Sequence, residues 1–160
     1  MRHRPPIRSF AYHLIWTTYG TWLPGDCRGW RRRGDPAPRP PSPVLFERCR
    51  ELLKYPPLFL DPHQRMEAFE ALTKTCRARG WTLHAHTVQR AHVHLVVSPP
   101  YTPDITRTQL KGAITRALTK RWPELGGRTL WARDGWTTDL HSPAEIGVAI
   151  AYVYDDHHDT

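Results

Sequence analysis

The stretch HAHTVQRAHVHLVVS, residues 84–98, decides the fold of this chain. Its second half, His92–Ser98, is rich in valine and leucine and predicts a β-strand. Trp81–Val88 predicts a second strand, and only residues 89–91 separate the two. So short a connection favours an antiparallel hairpin, because parallel strands need a much longer crossover.

The segment His92-Val93-His94 of this hairpin contains two side chains that can bind a metal ion. Side chains alternate along a strand, so Val93, Leu95 and Val97 face the core while His92 and His94 share the other face. Their imidazoles stand about 6.5–7 Å apart along the strand, close enough to bind one metal ion between them. Imidazole is a ligand for many divalent ions, so the pair is a candidate metal site.

A histidine pair at this spacing also occurs on strands that are merely exposed to water. His84 and His86 repeat the pattern within the same stretch. The spacing alone therefore does not identify a site, and the rest of the chain must support it.

Length and charge narrow the class of protein. The 160 residues predict one domain, 1–160, with a core of its own. A net charge of +8, together with seven tryptophans and six tyrosines, favours binding to nucleic acid, and to single strands in particular. No apolar run is long enough to cross a bilayer, which predicts no membrane partner. The three separated cysteines, Cys27, Cys49 and Cys76, form no disulfide framework, so we expect a reducing cytoplasm.

A long basic loop follows the first predicted strand, Phe10–Thr18. This insertion, at about 19–43, contains glycines, a proline-rich run and interleaved arginines and tryptophans. Such a loop fits phosphate binding and base stacking, although a solvated loop with its tryptophans packed on the core has the same composition. The candidate DNA-binding residues, including three outside the loop, are Arg28, Trp30, Arg31, Arg32, Arg33, Arg90, Lys111 and Arg116.

The remaining elements predict an α+β fold. Helices are expected over Leu45–Tyr55, from the Asp61 cap to about Arg79, over Asp104–Trp122, and from Pro143 towards Asp156; short strands are expected at Thr129–Trp131 and Gly135–Leu140. This order predicts a ferredoxin-like antiparallel sheet with two helices on one face. The other face would carry the two histidines.

The last predicted helix carries a tyrosine and several polar side chains. Tyr152 and Asp156 lie four residues apart, so they share a helical face and can meet the strand histidines. This arrangement would place a nucleophile beside a metal ion. Tyr154, four residues before His158, is an alternative nucleophile; Asp155 and His157 are alternative third ligands.

Three segments, YHLIWTTYGTW, RAHVHLVV and AYVYDDH, occur in this order along the chain. With them the sequence resembles the HUH single-tyrosine transposases, and within these the REP-associated tyrosine transposase branch. The resemblance implies a ferredoxin-like fold with the catalytic tyrosine on a C-terminal helix. It also implies metal-dependent cleavage and rejoining of single-stranded DNA beside a hairpin, through a 5′-phosphotyrosine intermediate.

Carried over residue by residue, the resemblance makes His92 and His94 metal ligands and Tyr152 the nucleophile. It puts the third ligand at Asp156, with His157 as the alternative, and implies Mg²⁺ or Mn²⁺ as the cofactor. The protein would act as a monomer or a homodimer on hairpin-containing single-stranded DNA. Relatives often have Asn-Pro or Gln after the tyrosine where this chain has Asp155-Asp156-His157-His158. A non-catalytic binder of single-stranded or hairpin DNA, derived from such a transposase, is the competing hypothesis.

Overall fold

The computed structural model of the protein describes residues 9–155. Its strands are β1 (Ala11–Thr17), β2 (Thr82–Val88), β3 (His92–Ser98) and β4 (Trp136–Leu140). Its α-helices are α1 (Pro43–Glu51), α2 (Pro62–Arg79), α3 (Pro103–Arg121) and α4 (Pro143–Asp155), and a short 3₁₀ helix spans Pro123–Leu125. No helix within this described range is long and apolar enough to span a bilayer.

The four strands form one antiparallel sheet in the order β2-β3-β1-β4. This is the strand order of a ferredoxin-like fold, and it confirms the predicted fold class. The hairpin predicted from residues 84–98 is present, with Val88 opposite Val93. A register irregularity between Leu83 and Ala85 shifts the pairing partway along β2.

The sheet separates two hydrophobic clusters. On one face, Leu14 and Trp16 of β1 and Val93, Leu95 and Val97 of β3 pack against α2 and α3. The opposite face has a smaller cluster, in which α4 covers Ala11, Ala85, Val96 and Leu140. Period-two alternation in β1 and β3 produces this division, because a one-residue change of register would exchange the faces.

Residues at the helix ends explain where the predicted helices begin and stop. The Asp61 carboxylate accepts from the Gln64 backbone N–H at 2.8 Å, and the Gln64 side chain accepts from the Asp61 N–H at 3.0 Å. This capping box starts α2, and Gly80, with φ of 68°, ends it. At the last helix, the Ser142 hydroxyl accepts from the Glu145 backbone N–H.

Two predicted elements differ in the structure. Residues Thr129–Trp131 do not form a strand; Trp131 makes only an isolated bridge to Thr18 and packs its indole against Trp16. Helix α1 begins at Pro43 rather than Leu45 and ends at Glu51 rather than Tyr55. It begins earlier because the Ser42 hydroxyl caps it and proline is well tolerated at the first helical position.

The basic loop between β1 and α1 folds back on itself. Gly25 makes the tightest turn, with φ of 86°, and a Cβ there would lie 2.4 Å from the Ser42 carbonyl oxygen. Asp26 is buried and forms an ion pair with Arg28 at 2.9 Å, which lowers the pKa of that carboxyl. The loop is therefore held by internal contacts rather than only solvated.

Candidate active site

Three histidines lie close together on the sheet face that α4 covers. His92 and His94 stand on β3, as the alternation predicted, and His13 stands on the neighbouring strand β1. In the register of these strands, His94 is opposite Ile15 and His13 is opposite Val96. His13 and His94 are thus diagonal neighbours, a relation that brings long side chains into contact.

The His13 and His94 rings stack, with centroids 4.4 Å apart and planes 19° from parallel. Their Nε2 atoms lie within hydrogen-bonding distance of each other. One of the two must act as acceptor there, so at least one lone pair points into the gap between the rings. His94 is completely buried, while His13 and His92 are half-buried at the rim of the cluster.

Tyr152 reaches this cluster from α4. Its ring stands edge-on to His94 with centroids 5.3 Å apart, and edge-on to His13 with centroids 5.8 Å apart. The tyrosine is 57% exposed, so a substrate can reach this side chain from outside. Tyr154, the alternative nucleophile, lies on the same helix and is 58% exposed. Of these two tyrosines, Tyr152 is the one whose ring contacts His13 and His94.

The packing of α4 explains why Tyr152 lies there. Ala149 and Val153 are buried against the sheet, and Ile146 and Ile150 pack beside them, as the helical periodicity predicted. Tyr152 precedes Val153 and therefore emerges at the edge of the packed stripe. Its position follows from this hydrophobic contact.

The donor atoms suit a divalent cation, in that two imidazole nitrogens converge and a third imidazole lies beside them. Asp156 and His157, the predicted third ligands, lie outside the described residues. Within residues 9–155, no three histidine, cysteine, aspartate or glutamate side chains are arranged so that they could hold a metal ion. The described residues thus fit part of such a site.

The arginines and tryptophans of the β1–α1 loop occupy different positions. Arg28 stacks over Trp22 at 4.0 Å from the ring centroid. Trp30 is buried and donates its indole N–H to the Pro40 carbonyl oxygen at 3.0 Å. The guanidinium carbons of Arg32 and Arg39 lie 5.4 and 5.2 Å from its ring centroid. The remaining loop arginines predicted to bind DNA, Arg31 and Arg33, are exposed.

The other predicted DNA-binding residues are spread over the molecule. Arg90 is exposed at the β2–β3 turn and stacks on Phe59 at 4.2 Å. Lys111 and Arg116 lie on α3, which covers the sheet face opposite the histidines. Lys111 donates to the carbonyl oxygens of Ala132 and Asp134, and burial together with the charge of Arg107 lowers its pKa to about 8.

His13 is the residue of this site that the sequence analysis missed. The signal for it was a histidine in the predicted first strand, in phase with Ala11 and Ile15 and out of phase with the core residues Leu14 and Trp16. That phase places His13 on the non-core face. Its meeting with His94 depends on the pairing and register of β1 with β3, which a single sequence does not reveal.

Solved structures similar to this chain share the fold. A REP-associated tyrosine transposase bound to a REP hairpin has a TM-score of 0.51 and 15% sequence identity, over 96% of this chain and 70% of that one. A Deinococcus radiodurans R1 protein assigned as a transposase has a TM-score of 0.50 and 19% identity, over 98% of both chains. No curated protein matches the sequence.

The family comparison is more specific. The sequence pattern of the family described as "Transposase IS200 like" matches residues 53–153, more than half of the 160 residues. The match includes β3 with both of its histidines and α4 as far as Val153. The chain therefore belongs to the IS200-like transposase family.

Proposed function

We propose that the protein is a DNA strand transferase that cleaves single-stranded DNA with Tyr152 as the nucleophile. The observation that carries the proposal is the contact of the Tyr152 ring with His94 and His13 on one sheet face. Membership of the IS200-like transposase family supports the same class of reaction.

In the proposed reaction, the phenol of Tyr152 loses its proton to solvent, and its oxygen attacks a phosphorus atom of the DNA backbone. The bond from phosphorus to the 3′ oxygen breaks, and that oxygen takes up a proton and leaves as a free hydroxyl. The phosphate stays attached to the tyrosine as a 5′-phosphotyrosine. A later attack by a 3′-hydroxyl on this ester would reverse the step and join DNA ends.

The residues around Tyr152 have separate roles in this proposal. His92 and His94 would hold a divalent cation, with Asp156 or His157 as a further ligand. When bound, the cation polarises the scissile phosphate and offsets its charge. Val153 and Ala149 fix α4 on the sheet, which keeps the phenol beside the imidazoles.

Hairpin-containing single-stranded DNA is the proposed partner. One of the similar structures is a transposase bound to a REP hairpin, and this chain has a net charge of +8, which favours binding to phosphates. We place the DNA along the histidine face, because that face bears the exposed Tyr152.

A covalent-adduct assay tests the proposal. The protein is incubated with hairpin DNA that carries single-stranded flanks and Mn²⁺, then separated under denaturing conditions. We expect a protein–DNA adduct from the wild type and from Tyr154→Phe, and none from Tyr152→Phe. If the wild type binds this DNA without forming an adduct under any divalent cation, the protein is a non-catalytic DNA-binding protein and the proposal fails.

A further inference from the structure

A second concave site lies outside the histidine cluster, at the edge formed by β4. This cavity of about 430 Å³ lies between the β1–α1 loop, the start of α3 and the loop that leads into β4. Its wall is unusual in composition, because it combines three tryptophans with five arginines and three aspartates.

Two of the tryptophans form an accessible aromatic wall. Trp22 and Trp136 have ring centroids 6.1 Å apart with their planes inclined at 57°. They are 39% and 41% exposed, although indoles are usually more buried. Two contacts fix the Trp22 side chain. Its indole N–H donates to the Gly29 carbonyl oxygen at 2.8 Å, and the Arg28 guanidinium stacks over its ring. An aromatic wall of this kind is suited to stacking with a nucleobase.

Arg107 provides a buried cation at the same site. Only 5% of this residue is exposed, and it donates to Asp104 at 3.1 Å and to the Thr137 hydroxyl. Its Nε–H is buried and makes no hydrogen bond to any residue that the structure describes. A buried donor without an acceptor is costly, so an anionic or carbonyl acceptor entering the cavity would be favoured.

The acidic residues of the wall do not cancel its positive charge. Asp35 is neutralised by Arg39 at 2.7 Å, which contributes to a pKa of about 2 for that carboxyl. Asp104 is paired with Arg107. The exposed arginines Arg31, Arg32, Arg33 and Arg133 outnumber the one remaining aspartate, Asp134, and leave the mouth of the cavity positively charged.

The cavity is next to the candidate active site. Trp136 pairs with Ile15 on β1, and Ile15 in turn pairs with His94 on β3. Two strand spacings separate Trp136 from His94, about 10 Å between backbones. Thr17, which also lines the cavity, is the register partner of His92. A short single strand can span this distance.

We propose that this cavity binds one unpaired nucleotide of the DNA strand whose phosphate lies at Tyr152. Its base stacks on Trp136 beside the inclined ring of Trp22, and its phosphate meets Arg31, Arg33 and Arg133. The inference rests on the proposed function for the DNA substrate, but it names a separate binding site that would select DNA with a single-stranded flank beside the hairpin.

Binding measurements in the Tyr152→Phe background test this site without cleavage. Affinity is measured for a blunt hairpin and for the same hairpin with single-stranded flanks of several nucleotides. We expect Trp136→Ala to weaken binding of the flanked hairpin about tenfold, in line with the loss of one stacked base, and to leave the blunt hairpin unchanged. Trp136→Tyr should retain most of the preference for the flank.

Two further variants provide an independent substitution in the cavity wall and a control outside it. Arg133→Gln, at an exposed position of the wall, should also reduce the preference for the flank and covers the case in which Trp136→Ala does not fold. Tyr101→Ala replaces an aromatic residue that is 46% exposed and outside the cavity, and should change neither affinity. Equal losses for both DNAs, or none, would overturn the proposal even if Tyr152 forms its adduct. A lost preference without any adduct would instead overturn the proposed function alone.

Discussion

The ring of Tyr152 stands at 84° to the ring of His94, with 5.3 Å between their centroids. The two residues belong to α4 and β3, which are separated by more than 40 residues of sequence, so only the packing of α4 on the sheet brings them together. The candidate site therefore depends on how firmly α4 is docked.

Weakening the contact between α4 and the sheet should disturb the position of Tyr152. Val153 lies on the buried face of α4, with 1% exposed, whereas Val148 on the same helix is 73% exposed. We expect Val153→Ala to lower the free energy of unfolding by about 1–2 kcal/mol and to reduce adduct formation. Val148→Ala is the matched control and should change neither quantity. Similar effects of both substitutions, measured by urea unfolding and the adduct assay, would contradict the docking argument.

We expect a substitution of His13 to reduce adduct formation as much as the loss of a residue that supports a metal ligand. Its Nε2 faces that of His94, so His13→Gln should reduce adduct formation by about 10–100-fold while binding of hairpin DNA persists. His63 is an exposed histidine on α2, and His63→Gln serves as the control. Full activity of His13→Gln at limiting Mn²⁺ would show that His13 lies outside the working site.

The choice of cation follows from the donor atoms. Imidazole nitrogens suit transition ions, whereas Mg²⁺ prefers oxygen ligands in octahedral geometry. With histidines as the described donors, we expect Mn²⁺ to support adduct formation at lower concentration than Mg²⁺. A chelator should abolish the adduct and leave DNA binding, measured by fluorescence anisotropy, unchanged. A lower half-maximal concentration for Mg²⁺ would indicate that oxygen ligands dominate the site.

Lys111 should titrate well below an ordinary lysine. Burial, aided by the charge of Arg107, lowers its pKa to about 8 from 10.5. Because the folded-state pKa lies below the unfolded one, the unfolded chain binds more protons between about pH 8 and 10.5, so this group makes the fold more stable as pH rises through that range. Titration by ¹³C NMR of labelled lysine side chains, with Lys111→Gln to assign the signal, measures it. Lysine signals that all titrate near 10.5 would contradict the buried position.

Much of the fold was predictable because many of its helices and strands are determined by their own residues. The capping residues Asp61 and Gln64, the alternation of His92–Ser98 and the apolar stripe of α4 each determine an element without help from distant residues. Strand Thr129–Trp131 was predicted wrongly for the opposite reason. Its bulky residues fit a strand locally, but Trp131 packs on Trp16 and pairs with Thr18 only as an isolated bridge.

The histidine site and the neighbouring cavity were predictable only in part, because one contact in each depends on long-range strand pairing. His92 and His94 share one strand, so their common face follows from the sequence alone. His13 joins them through the register of β1 with β3, and Trp136 joins Trp22 through the pairing of β4 with β1. Neither strand pairing can be predicted from the local sequence.

Identifying the amino acid that carries DNA after the reaction tests the central claim most directly. The adduct formed with flanked hairpin DNA and Mn²⁺ is digested with protease and nuclease, and the modified peptide is sequenced by mass spectrometry. We predict a nucleotide linked through its 5′ phosphate to Tyr152. A link to Tyr154 or to any other residue, or a DNA strand cut without a covalent link, would contradict the account.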